Sequence, residues 1–270
     1  MNDTIIVTSY SIIDDVMKAC GHQDHVLAQA SDAEVLTVAV VAALYFGNHH
    51  ERAVVVMGRL GYLSGALSVS RFNRRLHRLA DWLPGLLDIL GAMLRGGELY
   101  LIDSLPIPAC QWVRGRHNRK IRGRVYYGKC GAKRLNFFGW RLHLLFTPDG
   151  FPVAFELLPA RCHDLTPIYQ LLADLPSGAR VLGDKGYNSR LDEACLQAEW
   201  GIRLVARRRS NMQPHRWADD YDLRHYRLRI ESFNNQLVNM GIQRLHACTR
   251  DGVELKIHAS LLALFFAHFH

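Results

Sequence analysis

Cysteine is sparse in this chain: there are six (Cys20, Cys110, Cys130, Cys162, Cys195 and Cys248), and no two form a C-x-x-C pair. That spacing excludes a zinc ribbon and a disulfide scaffold, and it suits a reducing compartment. No apolar stretch is long enough to span a bilayer, the longest running from Val35 to Phe46 and from Leu261 to Ala267. The N-terminus carries Asp3, Asp14 and Asp15 with no basic segment ahead of an apolar core, so no signal peptide is expected. With 49% hydrophobic residues, global disorder is excluded, and 270 residues suit one large domain or two smaller ones. The expectation is a soluble, cytoplasmic protein with no membrane partner.

Acidic residues are missing where the basic ones are densest. Residues 109–135 hold nine Lys or Arg, among them Arg114, Arg116, Arg119, Lys120 and Arg122, and no acid. Residues 1–51, by contrast, hold one basic residue, Lys18, against seven acidic ones. Concentrated positive charge attracts a polyanion through counterion release. A solvated basic loop would look similar, but Trp112, Tyr126 and Tyr127 interleave the run and favour nucleic acid.

Familiar catalytic arrangements are absent too. No Ser/His or Cys/His nucleophile pair stands out, and Tyr10, Tyr169 and Tyr221 lack the Arg-His-x-x-Arg set of a tyrosine recombinase. Cys162-His163-Asp164 has no second matched pair that would make it a zinc or phosphohydrolase site, and Asp164 reads as a helix starter. The histidines at 246, 258, 268 and 270 lie on apolar, helix-like segments and read as structural.

What is present falls into two parts. Residues 1–97 read as helical: Asp32 to Phe46 is a long apolar helix, Arg52 to Leu60 a short one, and Ser70 an N-cap for "RFNRRLHRL". On that last helix Arg71, Arg74, Arg75 and Arg78 share a face opposite Phe72, Leu76 and Leu79, in a layout that resembles a helix-turn-helix. From 98 the pattern turns to strands. "ELYLID" ends before the breaker-rich "SLPIP", "NFFGWRLHLLFT" and "FPVAFELLP" flank a "PDG" hairpin, and "ARVLGD" and "IRLVARRR" follow. Helices over 166–175, 189–201 and 223–241 complete an order of three strands, helix, strand, helix, strand, helix.

Asp103 and Asp184 each end a short buried strand, where an unpaired carboxylate is costly and open α/β sheets place ligands. Lys185 points away from Asp184 along an extended chain, and Asp103 has no cation within five residues. A hard divalent ion between the two acids relieves their repulsion. Glu231 is the candidate third ligand, one step round from the apolar stripe of Ile230, Phe233, Leu237 and Met240. Its alternative is a surface pair with Arg227, worth only about 0.3–0.5 kcal/mol.

The element order resembles the ribonuclease H-like fold, and "LIDSLPIPAC", "VLGDKGYNS" and "RIESFNNQL" resemble the three acidic motifs of DDE transposases from bacterial insertion sequences. The stretch "RLHLLFTPDGFPVAFELLPARCHDLTPI" resembles that family's second and third strands and its His-Asp segment. The resemblance implies an α/β, ribonuclease H-like catalytic domain over 98–270 with a basic insert at 109–135, behind a helical DNA-binding region over 1–97. It implies Asp103, Asp184 and Glu231 as catalytic metal ligands for two Mg²⁺ ions, with Mn²⁺ as a substitute. Lys185, Arg227 and the basic insert would hold phosphates of double-stranded DNA, the chain acting as a homodimer with no small-molecule substrate. Around the glutamate, Arg227 fits a Tyr-x-x-Arg-x-x-x-Glu-x-x-x-x-x-x-Lys pattern, while Arg224 and Val238 stand where its tyrosine and lysine would be. Two rival readings share these residues: a nuclease of the same fold without strand transfer, and an inactive DNA-binding protein.

Overall fold

The computed structural model describes residues 1–131, 135–210, 212–213 and 215–269; Lys133 and Arg134 of the basic segment, and His270, lie outside the described residues. The helices of the first part are α1 (Asp3–Ala19), α2 (Asp32–Phe46), α3 (His50–Arg59), α4 (Val69–Arg78) and α5 (Trp82–Ala92). Then come β1 (Leu99–Gln111), β2 (Tyr127–Cys130), β3 (Leu135–Phe146), β4 (Pro152–Pro159), α6 (Ile168–Leu172) and β5 (Arg180–Gly183). The chain closes with α7 (Arg190–Cys195), β6 (Arg203–Ala206), α8 (Trp217–Asn239) and α9 (Arg250–His268). Among the described residues no helix is long and apolar enough to cross a membrane.

The chain divides into two compact units, one of Met1–Leu87 with the residues from Gln236 onward, the other of Asp88–Asn235. The first is helical, and α2 explains its make-up. Ser31 and Glu34 cap α2 reciprocally, the Glu34 N–H donating to Ser31 Oγ at 3.0 Å and the Ser31 N–H to Glu34 Oε2 at 2.5 Å. Every residue from Ala33 to Ala43 is buried, so the helix has no polar face to leave in water and must be encased. Helices α1, α3, α4 and α9 pack around it. The compact units therefore differ from the expected boundary at 97/98: α9, with its apolar run through Phe266, joins the N-terminal helices. Buried Lys256 on α9 donates to the carbonyls of Asn48, after α2, at 2.9 Å and of His246, before α9, at 3.1 Å. The N-cap of α4 is Ser68 and not Ser70, its Oγ accepting from the Arg71 N–H at 3.3 Å.

The second unit carries a mixed six-stranded sheet with path β2-β3-β1-β5-β6, and β4 also pairs with β3. Strands β1, β3 and β4 run antiparallel, while β5 and β6 run parallel to β1. The order β4-β3-β1-β5-β6 is ribonuclease H-like; β2, inside the basic insert, is an addition. One expectation is corrected here. Strand β1 does not stop at Asp103 but continues to Gln111, so Asp103 lies mid-strand. The parallel ladder with β5 ends at Ile102↔Gly183, after which β1 has one edge without a partner from β5. Pro106 and Pro108 share a parity, so their missing N–H groups fall on one edge and the strand tolerates both. Helix α8 lies against one face through Phe233 on Phe146, and α6 fills the other beneath Tyr100, Ile102 and Leu145.

Candidate active site

Register brings two carboxylates side by side. Ile102 pairs with Gly183, and the next residue on each chain is Asp103 and Asp184. Burial pushes the Asp103 carboxyl up to about 7, and the charge of Asp184 contributes to the rise. Asn234 on α8 donates from Nδ2 to Asp103 Oδ2 at 2.5 Å. Asp184 follows the end of β5; its carboxyl is also raised, by burial first and then by the charge of Asp164, although the Gly186 N–H donates to its Oδ1 at 2.7 Å.

Asp164 reads as a helix starter in the sequence, and the structure gives it a different place. Its Oδ1 accepts from Ser104 Oγ and from Arg141 Nη1, each at 2.9 Å, and the side chains of Arg141 and Asp164 are both largely buried. Its Oδ2 faces Gly186. A Cβ built there would lie 2.4 Å from Asp164 Oδ2 and 3.0 Å from Asp184 Oδ1, so only glycine lets the turn run between the two acids. The motif "HD" is the one sequence signal for Asp164, and nothing local distinguishes it from a cap.

Buried polar atoms without partners collect around these acids. Among the described residues they include Arg141 Nε, both ring nitrogens of His143, the Tyr187 hydroxyl and Asn234 Oδ1. Tyr187 is fully buried, its ring against Gly183. Burial, and then the charges of Asp103, Asp164 and Asp184, hold its phenol well above the usual range. His143 pairs in register with Ser104, and burial lowers its imidazole. Oxygen-rich and electrostatically crowded, this site fits a hard divalent cation.

Glu231 is not assembled with the other two. It is exposed and accepts from Arg227 Nε at 2.8 Å, so the surface pair weighed from the sequence is present. It stands three residues before Asn234, one turn along the side of α8 that reaches Asp103. Among the described residues, the group of three or more whose ligand atoms all lie within 4.8 Å of one another is His22, Asp24 and Asp32, in the helical unit. Asp32 there is already held by Arg75, which leaves little acceptor capacity for an ion.

A groove of about 1510 Å³ reaches one of these acids, Asp164. Arg116, Arg122, Arg124, Lys129, Arg141 and Arg161 line it together with Asp164. Its floor includes Trp112, Tyr127 and Phe138, whose rings pack edge to face at 4.8 and 4.7 Å between centroids. Of the basic residues expected to hold phosphates, Arg116 and Arg122 line the groove, Arg114, Arg119 and Lys185 are exposed outside its lining, and Lys120 is half-buried. Arg141 and Arg161 escape a sequence reading because they sit on β3 and after β4, far along the chain from the insert.

On α4, Arg71, Arg74 and Arg78 are exposed and line a smaller groove of about 510 Å³ with His25 and Gln29. Arg75 is committed elsewhere. Its Nε and Nη2 donate to Asp32 Oδ1, the former at 3.1 Å, and its Nη1 to the Ala30 carbonyl at 2.6 Å. It ties α4 to the start of α2 and is not free to reach a base edge.

A family model described as a transposase DDE domain matches residues 95–266, well over half of the chain. No curated protein and no solved structure matches it.

Proposed function

Since this chain belongs to the transposase DDE family, we propose that it cuts the ends of an insertion sequence and joins them to target DNA by metal-dependent phosphoryl transfer. The adjacency of Asp103 and Asp184, with Asp164 in the lining of a basic groove, carries this reading. Asp103, Asp184 and Glu231 would hold the divalent ions, two Mg²⁺ with Mn²⁺ as a substitute. When bound, such ions neutralise charge at the scissile phosphate and clamp the attacking and leaving oxygens. Glu231 can join them at small cost, because an exposed i,i+4 pair such as that with Arg227 is worth only about 0.3–0.5 kcal/mol.

The protein's own part is to hold DNA and exclude disorder from the reacting geometry. Groove arginines grip the backbone beside Asp164, and Asn234 fixes the Asp103 carboxylate from α8. Water first displaces the 3′ oxygen at the element end, leaving a 3′-OH and a 5′ phosphate. That hydroxyl then displaces a 3′ oxygen of the target in line, so one phosphodiester is broken and one made. End recognition would come from the α4 arginines, and a homodimer would pair the two ends.

Labelled element-end duplexes incubated with Mg²⁺, with cleavage and joining scored separately, test the reading. Both products are expected from the parental chain, and neither from Asp103→Asn or Asp184→Asn, while DNA binding persists. Cleavage without joining would make the protein a nuclease of this fold.

A further inference from the structure

Two acids, Asp164 and Asp184, meet at Gly186, and among the described residues Asp164 Oδ2 and Asp184 Oδ1 accept from no side-chain donor. The bound on their separation follows from Gly186, since a single Cβ position lies 2.4 Å from Asp164 Oδ2 and 3.0 Å from Asp184 Oδ1. Asp164 uses only one oxygen for structure. Its Oδ1 takes both the Ser104 hydroxyl and the Arg141 guanidinium, which turns Oδ2 toward Asp184. If the pair with Arg141 were all that Asp164 did, a bidentate fork would be the favoured geometry, as planar guanidinium and carboxylate match. Here one Arg141 nitrogen reaches Oδ1, another donates to the Lys129 carbonyl at 3.1 Å, and Nε is buried without a partner.

An independent observation points to a ligand at this place. The Tyr187 hydroxyl is fully buried and has no hydrogen-bond partner, its ring packs on Gly183 just before Asp184, and the charges of Asp103, Asp164 and Asp184 act on it. His143, also fully buried and opposite Ser104 in the β1–β3 register, leaves both ring nitrogens unpartnered. Orphaned polar groups of this kind call for an ion or water that the surrounding protein does not supply.

We infer that Asp164 is a fourth carboxylate of the metal site, contributing Oδ2 beside Asp184 while Ser104 and Arg141 hold its Oδ1. This rests on the reading of Asp103 and Asp184 as metal-holding residues. Four carboxylates balance two divalent cations, and Arg141 and Arg227 then leave the site positive toward an anionic DNA phosphate.

Mn²⁺ binding to the full-length, metal-free protein without DNA, measured by calorimetry, tests the assignment. Asp164→Asn is expected to weaken Mn²⁺ by about tenfold or more, as are Asp103→Asn and Asp184→Asn, whereas Asp174→Asn, an exposed partner of Arg95, should bind as the parent does. Asp164→Glu, which keeps the charge, should recover part of the affinity. Where Asp164→Asn fails to fold, the parental protein still decides: loaded with Fe²⁺ and treated with ascorbate and peroxide, it should be cut near 103, 164 and 184. Parental affinity in Asp164→Asn, or cuts near 103 and 184 without one near 164, overturns the inference and leaves the site reading intact. Parental affinity in Asp103→Asn overturns the site reading itself.

Discussion

Gly186 has to pass its backbone between two carboxylates while its N–H caps one of them. Adding a methyl forces Asp164 or Asp184 to move by a fraction of an ångström to an ångström, and displacements of that size can cost about 10²-fold in rate. Gly186→Ala is therefore expected to lower end cleavage by about that factor with DNA affinity within about twofold, compared by single-turnover kinetics and equilibrium binding. The titratable residues make opposite demands on stability. Burial, with Lys256 adding to it, holds His50 at about 4, below its ordinary 6.5, so between those values the unfolded chain binds a proton that the native state refuses. Stability falls there as pH drops, and the melting temperature of His50→Gln relative to the parent should rise as pH is lowered from 6.5 to 4. Asp103 runs the other way. Its native carboxyl, at about 7, keeps a proton that the unfolded chain has lost above 3.8, so its ionisation opposes folding of the metal-free protein as pH rises. Asp103→Asn should gain on the parent in melting temperature from pH 4 to 7, and Mn²⁺ should cancel that gain by stabilising the parent.

Along α4 four arginines look equivalent in sequence and divide in the structure. Arg75 spans 43 positions back to Asp32, and its side chain and that of Asp32 are only 19% and 16% exposed. Arg75→Ala is expected to destabilise the protein by about 1–3 kcal/mol, the usual cost of stranding one partner of a half-buried charged hydrogen bond, and to leave the preference for element ends over random DNA unchanged. Arg74→Ala should do the reverse. An exposed arginine that reads a base edge contributes about 1–3 kcal/mol of discrimination, so end preference should fall more than total affinity, with the melting temperature held. Competition binding with unrelated duplexes, alongside thermal melts of both variants, separates the two roles. If Arg74→Ala kept full end preference, recognition would lie outside α4.

The whole molecule carries a net charge of +8, but the charge acts through where it is placed. The groove that reaches Asp164 collects cations from the insert, from β3 and from the stretch after β4. Arginines that bind phosphates carry no sequence information. Neutralising Arg116, Arg122 and Arg124 together should weaken binding to all duplexes alike and flatten the salt dependence by about 0.9 in slope for each phosphate no longer neutralised. Titrations of specific and random DNA from low to moderate salt measure both quantities. A selective weakening for element ends would instead assign base reading to this groove.

Local chemistry is enough to read most of the strand and helix order from 98 onward, β2 in the basic insert excepted, because alternation, the "PDG" turn and the apolar runs are nearest-neighbour signals. Asp103 and Asp184 are legible for the same reason: a carboxylate closing a buried apolar run is costly wherever the run ends up. The continuation of β1 through two prolines is not legible, since it depends on which neighbour strand stops first. Nor is the destination of α9, whose apolar face says that it must be covered but not by what. Asp164 shows the limit most plainly. Its sequence neighbours allow a helix cap, and only the approach of β1, β3 and the Gly186 turn, 60, 23 and 22 positions away, puts its free oxygen beside Asp184. Elements form from short-range preferences that a sequence displays, whereas a site forms from separations in space that packing alone decides.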